Sequence, residues 1–207
     1  MKSLDPSHLT VLANFNTLQR AQQCVEEIKR YIEIILQDLA GELPENSDPP
    51  FRFVYDKKYG YIQANAFPMN CGGTDLPLIC IGIESLDLEN LLGAEGWNGC
   101  RTFVYSMLLN DPVRVTAYAA LAGHLRSLKP PLGYVPAPPN PADCGYLFVK
   151  KLDGIPAAAF GKREDFKEHV SGPLIELSNW LRAHREIIAS FAATPTNISA
   201  NDIPSAA

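Results

Sequence analysis

The sequence predicts an α+β (mixed α/β) fold in a single domain. Its central sheet should hold about four to five strands built on a β-hairpin, flanked by a long N-terminal helix and a C-terminal helix. Three observations predict it. Phe51 to Glu84, FRFVYDKKYGYIQANAFPMNCGGTDLPLICIGIE, gathers β-branched and aromatic residues into runs separated by turn signals. Asn16 to Ala40 carries apolar residues at steps of three and four. A second stripe with that period lies within 163–192.

Taken in order, residues 1–13 read as an extended lead-in. In the long helix, Leu18, Ala21, Val25, Ile28, Ile32, Ile35, Leu36 and Leu39 share one stripe. Asn16 or Thr17 suits its start, and Gly41 sits where a C-terminal glycine belongs. Glu26, Glu27 and Glu33 belong to its solvated side. Residues 42–50, ELPENSDPP, form a polar linker. Phe51 to Tyr55 alternates apolar and polar, turns through Asp56-Lys57-Lys58-Tyr59-Gly60, and returns as Tyr61 to Phe67. Gly60 supplies the positive φ that hairpin turns need. Cys71-Gly72-Gly73-Thr74-Asp75 is a second turn, and the apolar run Leu76 to Ile83 reads as a strand covered on both faces.

Ser85 to Gly93 is a short helix, and Cys100 to Leu109 a fourth strand or buried segment. Asp111-Pro112 starts a helix reaching about Leu128, with Val115, Tyr118, Ala122, Leu125 and Leu128 on one stripe. Lys129 to Asp143 is too dense in proline for regular structure, and reads as a stiff connector or surface loop. Gly145 to Lys151 is the fifth strand. Residues 163–192 read as a short helix and a longer one, interrupted at Gly172-Pro173, with Leu174, Leu177, Leu181, Ile188 and Phe191 apolar and Trp180 in the core. Residues 1–193 thus make the globular domain, and 194–207 a small-residue polar tail expected to be disordered.

Composition narrows the function classes. Apolar content of 46% and charged content of 20% are ordinary for a globular protein. A net charge of −5 supplies no basic surface for phosphates, so nucleic acid is not the expected partner. No apolar run is long enough to cross a bilayer and the N-terminus lacks an apolar h-region, so the expectation is a cytoplasmic protein without a membrane partner. The five cysteines (24, 71, 80, 100 and 144) lack CxxC spacing and read as reduced thiols. His8, His124, His169 and His184 are scattered, so no metal site or cofactor is expected. Gly154 and Gly161-Lys162-Arg163 miss the spacing of a phosphate-binding loop. Lys162, Arg163 and Lys167 form a small basic cluster of the solvated kind.

Two constellations carry possible chemistry. Cys71 before Gly72-Gly73 is a candidate nucleophile, with His124 or His169 as base. Asp56, Asp75 and Glu84 stand at strand ends, where paired carboxylates hold Mg²⁺. The order helix, three strands, helix, strand over about residues 16–109 resembles the core of the PD-(D/E)XK nuclease superfamily. The resemblance implies Asp56 or Asp75 as first acid, Glu84 as second, a glutamate of the first helix assisting, and Mg²⁺ as cofactor; an inactive relative would keep the fold alone. Glu84-Ser85-Leu86 lacks the lysine that the family places two residues after the glutamate. The preferred expectation is therefore a non-catalytic cytosolic protein-binding module of the inhibitor, immunity or accessory type. Its partner would be another protein, met through Trp97 in its glycine-flanked loop and through Tyr134 in the proline-rich connector, because such aromatics anchor interfaces.

Overall fold

The long helix predicted from the stripe at Leu18–Leu39 is α2, Phe15–Glu42. Its second half packs Ile32, Ile35, Leu36, Leu39 and Ala40 into the core. Leu43 ends it in extended backbone, so Gly41 lies inside the helix rather than beyond it. The computed structural model describes residues 6–47, 50–71, 74–94, 99–137 and 145–192. The expected tail at 194–207 and Trp97 lie outside them.

The fold is α+β, with seven α-helices and a six-stranded antiparallel sheet among the described residues. The sheet is ordered β3-β4-β5-β6-β8-β7, one strand more than expected. Its strands are β3 (Phe53–Asp56), β4 (Tyr61–Cys71), β5 (Thr74–Glu84), β6 (Arg101–Tyr105), β7 (Val135–Pro136) and β8 (Tyr146–Lys151). The extra strand is β7, inside the segment that proline density had excluded. At the sheet edge β7 pairs with β8 alone, so the N–H that Pro136 lacks is not missed on its open side. The linker before the sheet likewise contains a two-residue ladder, β1 (Asn46–Ser47) against β2 (Pro50–Phe51).

The hairpin turn at Gly60 has φ +61, as the sequence required. The chain also bends at Phe67, which has φ 56, a rare state for a bulky side chain. Ala66 and Phe67 are consequently both buried, and the alternation of β4 resets there. β5 is buried on both faces from Leu78 to Ile83.

Residues 1–13 do not all lead in as extended chain: Pro6–Ala13 is helix α1, with Pro6 at the position where a missing N–H costs least. Asp87 caps α3 (Leu88–Leu91) by accepting from the Asn90 N–H. The helix expected from Asp111 to Leu128 is two, α4 (Pro112–Ala117) and α5 (Ala119–Arg126), broken where Tyr118 adopts φ −116 and ψ 41 and turns its ring into the core. Asp111 caps α4 through the Val113 N–H.

The largest departure is at the C-terminal region. Pro173 does not interrupt it: α6 runs from Arg163 to Ala183 straight through, and the break falls at His184, before α7 (Arg185–Ala192). Phe166, Val170, Leu174, Leu177 and Leu181 form one buried stripe across the proline. That burial outweighs the roughly 3 kcal/mol that a helix-interior proline costs. Pro173→Ala should therefore raise stability by about 1 kcal/mol or more, read as a higher urea midpoint; a fall would mean that the ring itself is needed for packing.

Helices α2 and α6 lie on one face of the sheet, where Phe53, Ile62, Ala64, Ile81, Ile83, Val104 and Phe148 meet them in a single cluster. The basic cluster fastens these helices together: Arg163 pairs with Asp38, and the buried Lys167 with Glu42 at 2.7 Å. Trp180 is core as expected, its indole N–H donating to the Lys129 carbonyl at 2.9 Å.

Candidate functional site

Alternation sends the other half of the strands to the opposite face, away from α2 and α6. Three cross-strand rows are registered there. They are Glu84–Arg101–Lys151, then Gln63–Gly82–Phe103–Val149, then Asn65–Cys80–Tyr105–Tyr146. Unlike the helix-covered face, this one stays half-exposed or exposed at Asp56, Tyr61, Gln63, Asn65, Glu84, Arg101, Tyr105, Tyr146, Val149 and Lys151.

Its centre is a polar and aromatic knot. Glu84 and Arg101 are directly opposite on β5 and β6, and the Arg101 Nε–H donates to Glu84 Oε1. Tyr146 donates its hydroxyl to Glu84 Oε2 at 2.7 Å. The Arg101 guanidinium lies over the Tyr146 ring, 4.7 Å from its centroid. Tyr146 in turn meets Phe103 and Tyr105 edge-on, at 5.6 and 5.0 Å between centroids. Burial, and then the bond to the Glu84 carboxylate, raise the Tyr146 hydroxyl above its ordinary range, so it stays a neutral donor. Gly82 makes this packing possible: an added Cβ would sit 2.8 Å from Phe103 Cζ, so the phenyl ring covers the glycine.

The structure separates the carboxylates proposed for Mg²⁺. Asp75 and Glu84 occupy opposite ends of β5, nine residues and about 30 Å apart. Asp56 shares the open face with Glu84, but its oxygens close the hairpin turn. Oδ1 accepts from the N–H groups of Lys58 and Tyr59 at 2.8 and 3.2 Å, and Oδ2 from the Tyr61 hydroxyl at 3.4 Å. Glu84 has both oxygens occupied by Arg101 and Tyr146. Among the described residues no three of His, Cys, Asp and Glu come together as a metal site requires.

The nucleophile candidate is likewise dispersed. Cys71 ends β4 beside the far hairpin, and Gly72-Gly73 lie outside the described residues. His169 instead lines a cavity of about 170 Å³ near Ile83, at the other end of β5, together with Cys100 and Asp153. There the Cys100 thiol donates to the Ser85 carbonyl at 3.1 Å, and burial pushes it up to about 12; burial alone pushes the Cys80 thiol, outside this cavity, up to about 12 as well. Neither is a thiolate at neutral pH. Alkylation of the native protein, mapped by peptide mass, should modify the exposed Cys24 and leave Cys80 and Cys100 protected until denaturant is added. Rapid modification of Cys100 in the native state would contradict this environment.

Tyr134 is placed in the core rather than on the surface. It is 6% exposed, with the Lys150 ammonium 5.7 Å from its ring centroid. A further cleft of about 310 Å³ opens between α2, the β3–β4 turn and α3. Two ion pairs lie within it, Lys57 with Glu33 at 2.7 Å and Lys29 with Glu89 at 3.4 Å.

The chain matches no known protein family, no curated protein and no solved structure. Glu84 was visible to sequence reasoning, but as a metal ligand. Arg101, Phe103, Tyr105 and Tyr146 were not singled out, although the alternation Arg101-Thr-Phe103-Val-Tyr105 was the available signal.

Proposed function

We propose that this protein is a non-catalytic protein-binding module of the inhibitor, immunity or accessory type, working in the cytoplasm, and that it meets its partner through the open face of the sheet. The observation that supports this is the knot of Glu84, Arg101, Tyr105 and Tyr146: accessible, yet locked in place by its own hydrogen bonds and ring contacts. Arginine and tyrosine are enriched among residues that dominate binding energy, and groups fixed before binding lose little entropy on association. No bound metal or group enters this reading. No helix among the described residues is long and apolar enough to cross a membrane, consistent with a partner met in water.

The nuclease reading survives on one observation, that Asp56 and Glu84 share a face. Affinity capture from native-host lysate, with proteins and nucleic acids both identified, separates the two. The binding reading expects one stoichiometric protein that is retained by the native chain and lost from Arg101→Ala. Mg²⁺-dependent cleavage of a nucleic-acid substrate, abolished by Glu84→Ala, would overturn it.

A further inference from the structure

The stripe of α2 runs past the core it was expected to fill. From Ile32 onward it is buried, whereas every described side chain from Thr10 to Ile28 is exposed. Helix α1 and the first half of α2 therefore project as a limb. Written as heptads, the stripe puts Val11, Leu18, Val25, Ile32 and Leu39 at a, with Asn14, Ala21, Ile28 and Ile35 at d. The free part of the seam runs from Val11 in α1 across the turn at Asn14, which has φ −109 and ψ 15, to Ile28 in α2, where the unbroken stretch from Phe15 is roughly 20 Å of helix. Val11, Leu18, Val25 and Ile28 are 50, 47, 38 and 41% exposed. Asn14 is its one polar position, and its side-chain amide donates back to the Thr10 carbonyl at 3.0 Å. An isolated helix of this length is marginal in water, and an apolar stripe of this kind is normally covered.

We propose that a second copy of this chain covers it, by antiparallel pairing of the two limbs about a two-fold axis. The seam is complementary to itself. About a centre between Gln19 and Arg20, Val11 meets Ile28, Asn14 meets Val25 and Leu18 meets Ala21, so each a position faces a d position and the large Leu18 lies over the small Ala21. The charge pattern points the same way. Thr17, Gln22, Cys24 and Tyr31 flank the seam without charge, and the single charged flank, Lys29, is paired with Glu89 of its own chain at 3.4 Å. Arg20, Glu26, Glu27 and Arg30 all fall on the outer side of the heptad. Such flanks offer a charged foreign helix nothing to read, and they set no like charges against each other in a dimer. Antiparallel pairing also sends the two sheet domains to opposite ends, where their bulk does not collide.

The test is sedimentation equilibrium of the full chain between about 1 and 100 µM. The wild type should approach twice the 22.7 kDa chain mass, and Val25→Glu should remain at 22.7 kDa with an unchanged near-UV spectrum. In the antiparallel register Thr17 of one copy lies across from Cys24 of the other. Thr17→Cys should thus cross-link on mild oxidation where the wild type does not. A wild type that stays monomeric at 100 µM, or a dimer indifferent to Val25→Glu, overturns the proposal. So does a Thr17→Cys chain that fails to cross-link. A monomeric wild type that loses a captured foreign protein on Val25→Glu assigns the limb to that protein and overturns it equally. Arg101 lies on the sheet rather than on the limb, so these outcomes leave the open-face reading to stand or fall separately.

Discussion

Gly82→Ala should unfold the sheet more readily than any other small change on it, at a cost of about 3 kcal/mol, the upper range for an overpacked core. The added Cβ would lie 2.5 Å from the Ile62 carbonyl oxygen and 3.0 Å from Gln63 Cα, as well as against Phe103. Phe103 can rotate away, but the β4 backbone cannot move without opening the β4–β5 ladder, the longest in the fold. Gly145 provides the contrast: its Cβ would meet the Tyr105 ring at 2.2 Å, so the clash falls on a side chain rather than on the backbone of a neighbouring strand. Gly145→Ala should therefore cost less stability while displacing Tyr105 from Tyr146. Urea midpoints of the two variants check the order. Equal losses, or less than about 1 kcal/mol for Gly82→Ala, would mean that the strand spacing relaxes where this account holds it rigid.

Arg101→Ala and Tyr146→Ala should each weaken partner binding at least 30-fold, the effect of about 2 kcal/mol at a hot spot, while stability changes much less. The discount on stability follows from exposure. The Arg101 and Glu84 side chains are 39 and 19% exposed, so solvent screens their attraction and the pair contributes on the order of 1 kcal/mol or less. On binding, the same pair is stripped of water together with the ring beneath Arg101. Tyr146→Phe removes the bond to Glu84 but keeps the ring, and should weaken binding less than Tyr146→Ala. Titration calorimetry with the captured partner reads all three; equal affinities across the set would remove the knot from the interface.

Much of the fold was legible because local signals agreed with burial. The apolar run at Leu76–Ile83, the glycine at 60 and the Asp111-Pro112 start each dictate one local structure, and each forms. The failures have a common physical cause, tertiary contact overriding a local rule. Pro173 stays inside α6 because Val170, Leu174 and Leu177 are buried on both sides of it. Pro136 joins the sheet because an edge asks for a single set of hydrogen bonds. Periodicity also gave the stripe of α2 without saying where the core ends, and so could not separate Leu36, wholly buried, from Leu18, exposed.

The site was less legible still. Tyr134 sits in a segment that looks like surface by composition, and the structure buries it. Arg101, Tyr105 and Tyr146 converge from residues 45 positions apart, and their meeting depends on β6 pairing with β8 across α4 and α5. No spacing in the chain encodes that register. The carboxylates show the converse: Asp75 and Glu84 look paired in sequence, and one strand length keeps them apart.

The most direct test of the open-face assignment is hydroxyl-radical footprinting of the complex with its captured partner. Tyr61, Tyr105 and Tyr146 should lose reactivity on binding, while Leu132, 95% exposed on the connector, keeps its own. Unchanged reactivity at those three tyrosines, with protection elsewhere on the molecule, would contradict it.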